Sequence, residues 1–134
     1  HGLGVFAASS ILRGQTVYRA HPRFALHVPV AAFDSLPPEV RAKNLSYTYR
    51  GRGHHRREGW VYFDADDSRF MNHSATPTLV PMQDGETWLA ARDIAVGEEL
   101  TCDYRAFAEP DDPLLAFLAP GDREACPIAP AGVA

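Results

Sequence analysis

The chain has 134 residues, 46% of them hydrophobic and 22% charged, and a formal net charge of −4. That length supports one hydrophobic core but not two, and no apolar run of about 18 residues offers a transmembrane helix, so no membrane association is expected. The negative balance argues against direct nucleic-acid binding and suits a basic partner, such as a lysine-rich peptide.

The chain begins at His1 with neither a methionine nor a signal-peptide pattern, which reads as a trimmed piece of an intracellular protein, cytoplasmic if the source is bacterial. Next comes "GLGVFA". Gly2 and Gly4 around Leu3 either let the backbone approach a ligand or simply make a tight turn; the third glycine and following helix of a dinucleotide fingerprint are missing. "GVFAAS", "QTVYRA" and "RFALHVPV" are β-like runs between Gly and Pro breaks, with Gly14 in a turn. Pro37 and Pro38 open a helix that Glu39 favours at its positive end and that Val40 to Leu45 continue. The positive charge gathers in "RGRGHHRREG", Arg50 to Gly59, either a solvated loop or a contact for an acidic group.

"GWVYFDA" alternates like a strand, Trp60 and Tyr62 on one face, Val61 and Phe63 on the other. "TLVPM" and "ETWLAARDI" flank Asp84-Gly85, a type I′ hairpin signal. The turn "AVGEE" leads into the strand "ELTCDY", after which a short helix is expected from Pro113 to Ala119 and a Pro/Ala tail in "CPIAPAGVA". Many short strands, few helices and no βαβ rhythm mean a mostly-β fold. Cys102 and Cys126, with His54 and His55 adjacent, lack zinc-ligand spacing, so no metal is expected.

"RFMNHS" fits neither period. Asn72 carries a paired donor and acceptor and His73 a switchable one. Together they either read a polar ligand or satisfy an irregular buried backbone. Cys102 is a small buried strand residue or, less in keeping with its neighbours, a thiol nucleophile. Tyr104 is a core residue with its hydroxyl at the surface, or a polar handle pointing into a channel.

In order, "GLGVFA", "RFMNHS" and "ARDIAVGEELTCDY" resemble the signature of SET-domain protein lysine methyltransferases. The likeness runs from Gly2 to Tyr104. It implies a mostly-β SET fold (β-clip) of several small twisted sheets with a knot-like crossing, residues 1–110 forming the domain and 111–134 a C-terminal segment without a zinc cluster. It further implies S-adenosyl-L-methionine as methyl donor, S-adenosyl-L-homocysteine as product, and a lysine-containing, basic protein or peptide as partner. Carried over, Gly2, Leu3 and Gly4 offer backbone groups to the cofactor, Asn72 and His73 hold its ends, and Arg69 and Phe70 shape the pocket. Tyr104 stands at the methyl-transfer centre and touches the cofactor. A second active-site tyrosine is expected among Tyr47, Tyr49 and Tyr62, and Phe107 or Phe117 is expected to cover the adenine or line the lysine channel.

There are departures from the pattern. After "NHS" the family commonly has Cys-x-Pro-Asn, whereas this chain has Ala75, Thr76, Pro77 and Thr78, which is expected to weaken one hydrogen bond of the crossing. Two residues before Tyr104, where many members carry Phe or Tyr, stands Cys102; the extra room leans toward di- or trimethylation. The alternative reading is a non-catalytic SET-like module that binds a peptide or cofactor without turnover.

Overall fold

The computed structural model describes residues 2–51, 59–116 and 118. Among the described residues most of the regular structure is β, in nine short strands: β1 Val5–Phe6, β2 Thr16–Arg19, β3 Ala25–Pro29, β4 Thr48–Arg50, β5 Trp60–Asp64, β6 Asn72–His73, β7 Leu79–Pro81, β8 Thr87–Ala90 and β9 Glu99–Cys102. Two short helices, α1 Val30–Asp34 and α2 Pro38–Asn44, interrupt them. The strands form three sheets, ordered β1-β9-β6, β2-β8-β7 and β3-β5-β4.

Local chemistry explains most of these boundaries. Pro38 stands in the first turn of α2, where its missing N–H costs nothing, with Glu39 beside it at the positive end and Arg41 and Lys43 in the last turn. The expected single run "RFALHVPV" divides instead. Pro29, with φ −57° and ψ 144°, ends β3 and caps α1, a helix that the apolar, β-branched sequence did not announce. The hairpin is where Asp84-Gly85 puts it, but its turn is not type I′. Only Gly85 has positive φ (69°), whereas type I′ needs it at both central residues. Asp84 instead accepts bonds from the N–H groups of Glu86 and Thr87 and from the Thr87 hydroxyl, at 2.9, 2.8 and 2.7 Å. This Asx-type network holds a longer loop in place of the two-residue turn. The helix expected at Pro113 shrinks to a 3₁₀ turn, Pro113–Leu115, capped by Asp112. The central residues of the basic run, the tail, Cys126 and Phe117 lie outside the described residues.

Two apolar clusters hold the sheets together. One gathers Ala7, Met71, Leu79, Trp88, Ala90, Ile94, Leu100 and Cys102 from the first two sheets and their connections. The other joins Tyr49 and Tyr62 of the third sheet to Ala108, Leu114 and Leu115. Tyr104 and Phe107 pack against both clusters, so the segment after β9 lies at their seam.

Candidate active site

The site is built where β6 and β9 run side by side. They pair in parallel, Asn72 opposite Thr101 and His73 opposite Cys102, while β1 pairs antiparallel with the other edge of β9. The motif that fitted no period is therefore two elements. A 3₁₀ turn, Asp67–Phe70, is capped by Asp66, and a two-residue strand follows directly. The turn places Arg69 and Phe70, both half-buried, just before the backbone extends.

Asn72 ties three pieces of chain together. Its Nδ2 donates to the Leu3 carbonyl at 3.0 Å and to Glu99 Oε1 at 2.6 Å. A carbonyl partner identifies that atom as the nitrogen, and no described residue donates to Oδ1. Gly4 makes this possible: a Cβ there would lie 2.8 Å from Glu99 Oε1. The His73 ring accepts the Tyr104 N–H on Nδ1 at 3.2 Å, which leaves the ring proton to Nε2. Asp103 Oδ1 lies 3.7 Å from the same nitrogen, beyond hydrogen-bond reach, and its carboxylate is clasped by Arg105 at 2.6 to 3.1 Å.

Tyr104 closes the crossing from the other side. Its hydroxyl donates to the Met71 carbonyl at 2.7 Å. Burial first, then the neighbouring Cys102 and Glu99, pushes its pKa well above that of a free phenol. Burial acts the same way on Cys102, aided by Asp103 and Asp64. The thiol stays protonated and packed in the core, which removes the cysteine-nucleophile reading.

The turn after "NHS" is better supported than its sequence suggests. Thr78, where the family pattern has asparagine, is buried. Its hydroxyl accepts the Thr101 N–H at 2.8 Å and sits 3.3 Å from the Glu99 carbonyl, while the Thr101 hydroxyl accepts the Thr78 N–H at 3.1 Å. A threonine pair thus ties the turn to β9.

Two hollows meet at this crossing. The larger, about 510 Å³, is an open cleft bordered by Gly2, Leu3, Tyr47, Phe70, Asn72 and His73. The smaller, about 60 Å³, is a narrow passage walled by Tyr18, Tyr49, Asp64, Trp88, Cys102 and Phe107. Ser46, Tyr47, Arg69, Tyr104 and Leu114 border both. Gly2, Leu3, Arg69, Phe70, Asn72, His73 and Tyr104 are thereby brought together at the cleft, whereas Gly4 lies under Glu99 and not on its wall. Tyr47, Tyr49, Cys102 and Phe107 line the passage. Tyr62 does not; it stacks behind Tyr49, ring centres 5.9 Å apart. Sequence reading missed Tyr18, Trp88 and Asp64, which come from strands distant in sequence and carry no local signal.

The model of the SET domain family matches residues 2–105, so the chain belongs to the SET domain family. Among solved structures, an active polycomb repressive complex 2 in the basal state superposes with a TM-score of 0.51 at 24% identity, over 75% of this chain and 13% of that one. The Neurospora SET domain protein DIM-5, a histone lysine methyltransferase, follows at 0.48 and 23%, over 75% and 47%. A polycomb complex bound to S-adenosylmethionine scores 0.47 at 22%, over 75% and 13%. At these identities the likeness is one of fold, and the chain spans less than half the length of each of these three proteins. No curated protein sequence matches it.

Proposed function

We propose that the chain transfers methyl groups from S-adenosyl-L-methionine to the side-chain amine of a lysine in a protein or peptide, leaving S-adenosyl-L-homocysteine. The observation that carries this reading is the position of Tyr104, on the shared wall of a wide cleft and a narrow aromatic passage. When bound, the donor supplies an electrophilic methyl group on a positively charged sulfonium.

The cleft suits that donor. Its volume falls within the usual range of small-molecule sites. Asn72 Oδ1 offers an acceptor for an ammonium group, Gly2 and Leu3 border the cleft, and the Phe70 and Tyr47 rings, edge to face at 5.9 Å, offer an apolar patch for a planar base. Arg69 and Phe70 form one wall, the guanidinium 4.4 Å from the Phe70 ring centre.

The passage suits an unbranched alkyl amine. A lysine amine has a pKa of about 10.4 in water and must be neutral to act as a nucleophile. Tyr49, Trp88 and Phe107 keep water from the stem and disfavour the charged form by desolvation. The Tyr104 hydroxyl, its proton committed to Met71, presents a lone pair that an amine N–H can meet, which orients the nitrogen. Because Tyr104 holds its own proton tightly, it positions and does not serve as the base. The small Cys102 side chain leaves room for an amine that already carries methyl groups, and the net charge of −4 favours a basic substrate.

The alternative of a non-catalytic module draws on the altered turn after "NHS", where Thr78 and Thr101 bond each other, and on the short C-terminal region. Calorimetric titration with S-adenosylmethionine and S-adenosylhomocysteine, followed by transfer of labelled methyl to a lysine-rich peptide, tests the proposal. Saturable binding with incorporation at lysine is expected; binding without turnover would return the chain to the non-catalytic class.

A further inference from the structure

Two residues of opposite charge border the passage, one of them shared with the cleft. Asp64, at the end of β5, borders the passage but not the cleft, while Arg69 borders both. Asp64 is held by the Tyr49 hydroxyl at 3.1 and 3.2 Å from its two oxygens. Arg69 is fixed by a bond of 3.3 Å from its NH1 to the Asp66 carbonyl and by the rings of Phe70 and Phe63, at 4.4 and 5.9 Å. Among the described residues no carboxylate lies within ion-pair distance of its guanidinium. A half-buried arginine held by rings and a carbonyl keeps its full charge directed at its surroundings.

Other titratable groups border the same space or lie beside it. Tyr18 from β2 and Tyr104 after β9 are both pushed well above a free phenol, chiefly by burial, and Cys102 of β9 is held as a thiol. Tyr47 and Tyr49 border the passage from the segment leading into β4 and from β4 itself. Asp66, outside the lining, accepts the Tyr18 hydroxyl at 3.1 Å. His73 lies on the cleft side, with Nδ1 occupied by the Tyr104 amide. Asp64, Tyr18 and Cys102 border the same passage.

We infer that Asp64 and Arg69 form a charge gradient that separates capture of the substrate lysine from its deprotonation: Asp64 draws in the ammonium form, and Arg69, at the junction with the cleft, drives its proton off. This rests on the methyltransferase reading. A lysine head beside Asp64 is stabilised as a cation. As it advances to the junction it meets a fixed positive charge, which favours the neutral amine, and the proton passes to water on the cleft side, which is open before a donor binds. Arg69 thus acts on the protonation of the nucleophile before any donor is bound.

The test uses a lysine-rich peptide whose one methyllysine carries an isotope-labelled N-methyl group, bound to the full chain without donor. NMR follows the methyl shift as pH is varied and reports the amine pKa directly. The parent chain is expected to lower that pKa relative to free peptide. Arg69→Gln should raise it by about one unit, a tenfold change in the amine-to-ammonium ratio, while Arg69→Lys, which keeps the charge, holds the parent value. Asp64→Asn should move it the other way and weaken peptide binding near neutral pH by about tenfold. Equal pKa values in the parent, Arg69→Gln and Asp64→Asn would overturn the gradient. A shift confined to donor affinity in Arg69→Gln, seen by calorimetry, would do the same and make the arginine a cofactor residue only. Labelled methyl transfer by the parent chain is scored separately, so the gradient can fail while the methyltransferase reading stands.

Discussion

At the scale of single residues, hydroxyl groups carry more of this site than charges do. Tyr104 makes its bond to Met71 from the seam of two apolar clusters, so Tyr104→Phe removes one hydrogen bond, worth about 1 kcal/mol of stability, while the ring packing survives. On the proposed chemistry the same change should lower methyl transfer by about a hundredfold or more, the range for a lost transition-state contact. Steady-state rates beside a thermal melt separate the two effects. Thr78→Val keeps the shape but strands the buried Thr101 N–H, a loss of about 1–3 kcal/mol that denaturant titration would show. Because the folded values of Tyr104 and Cys102 are raised, neither ionises in the working range. The pH–rate profile should therefore climb as the substrate amine loses its proton and show no falling limb below about pH 10.

At the scale of elements, the β7–β8 hairpin shows how a side chain can replace turn geometry. Asp84 sits below the usual carboxylate range, first because the Thr87 N–H bonds its ionised form, then through the Thr87 hydroxyl and the Glu86 N–H. A depressed folded value means that the contribution is complete above the unfolded value of about 3.9 and is lost as pH falls through the folded one. Asp84→Ala should cost about 1 kcal/mol, and amide exchange at Glu86 and Thr87 should quicken in the parent only in strong acid. The strands and helices themselves were largely legible. Pro37-Pro38, "GWVYFDA" and "ELTCDY" carry local signals strong enough to survive packing. The α1 helix was not, because "VAAFD" follows a strand with no break other than Pro29. That proline supports both the end of a strand and the start of a helix.

At the scale of the whole molecule, the buried Asp103–Arg105 pair supports the turn that carries Tyr104. Asp103 is 2% exposed and Arg105 8%. Removing the carboxylate by Asp103→Ala leaves a guanidinium uncompensated in the interior, at a cost of about 3–5 kcal/mol, and denaturant midpoints should register it together with lost turnover. Leu79, with 0% exposure, marks the centre of the larger cluster, and a cavity there (Leu79→Ala) should cost about 2–5 kcal/mol.

Family and fold were already readable in the one-dimensional order of "GLGVFA", "RFMNHS" and "GEELTCDY", because backbone crossings and close approaches demand particular residue types in a particular order. The walls of the passage were not. Tyr18, Asp64 and Trp88 belong to three strands brought together only when separate sheets pack, and nothing in their own neighbourhoods distinguishes them from ordinary strand residues. Thr78 shows the same thing: nothing near it in the sequence announces that folding sets Thr101 beside it. Local chemistry dictates which segments can turn, extend or cross, whereas a site assembled from distant side chains exists only once the core has placed them within a few ångströms.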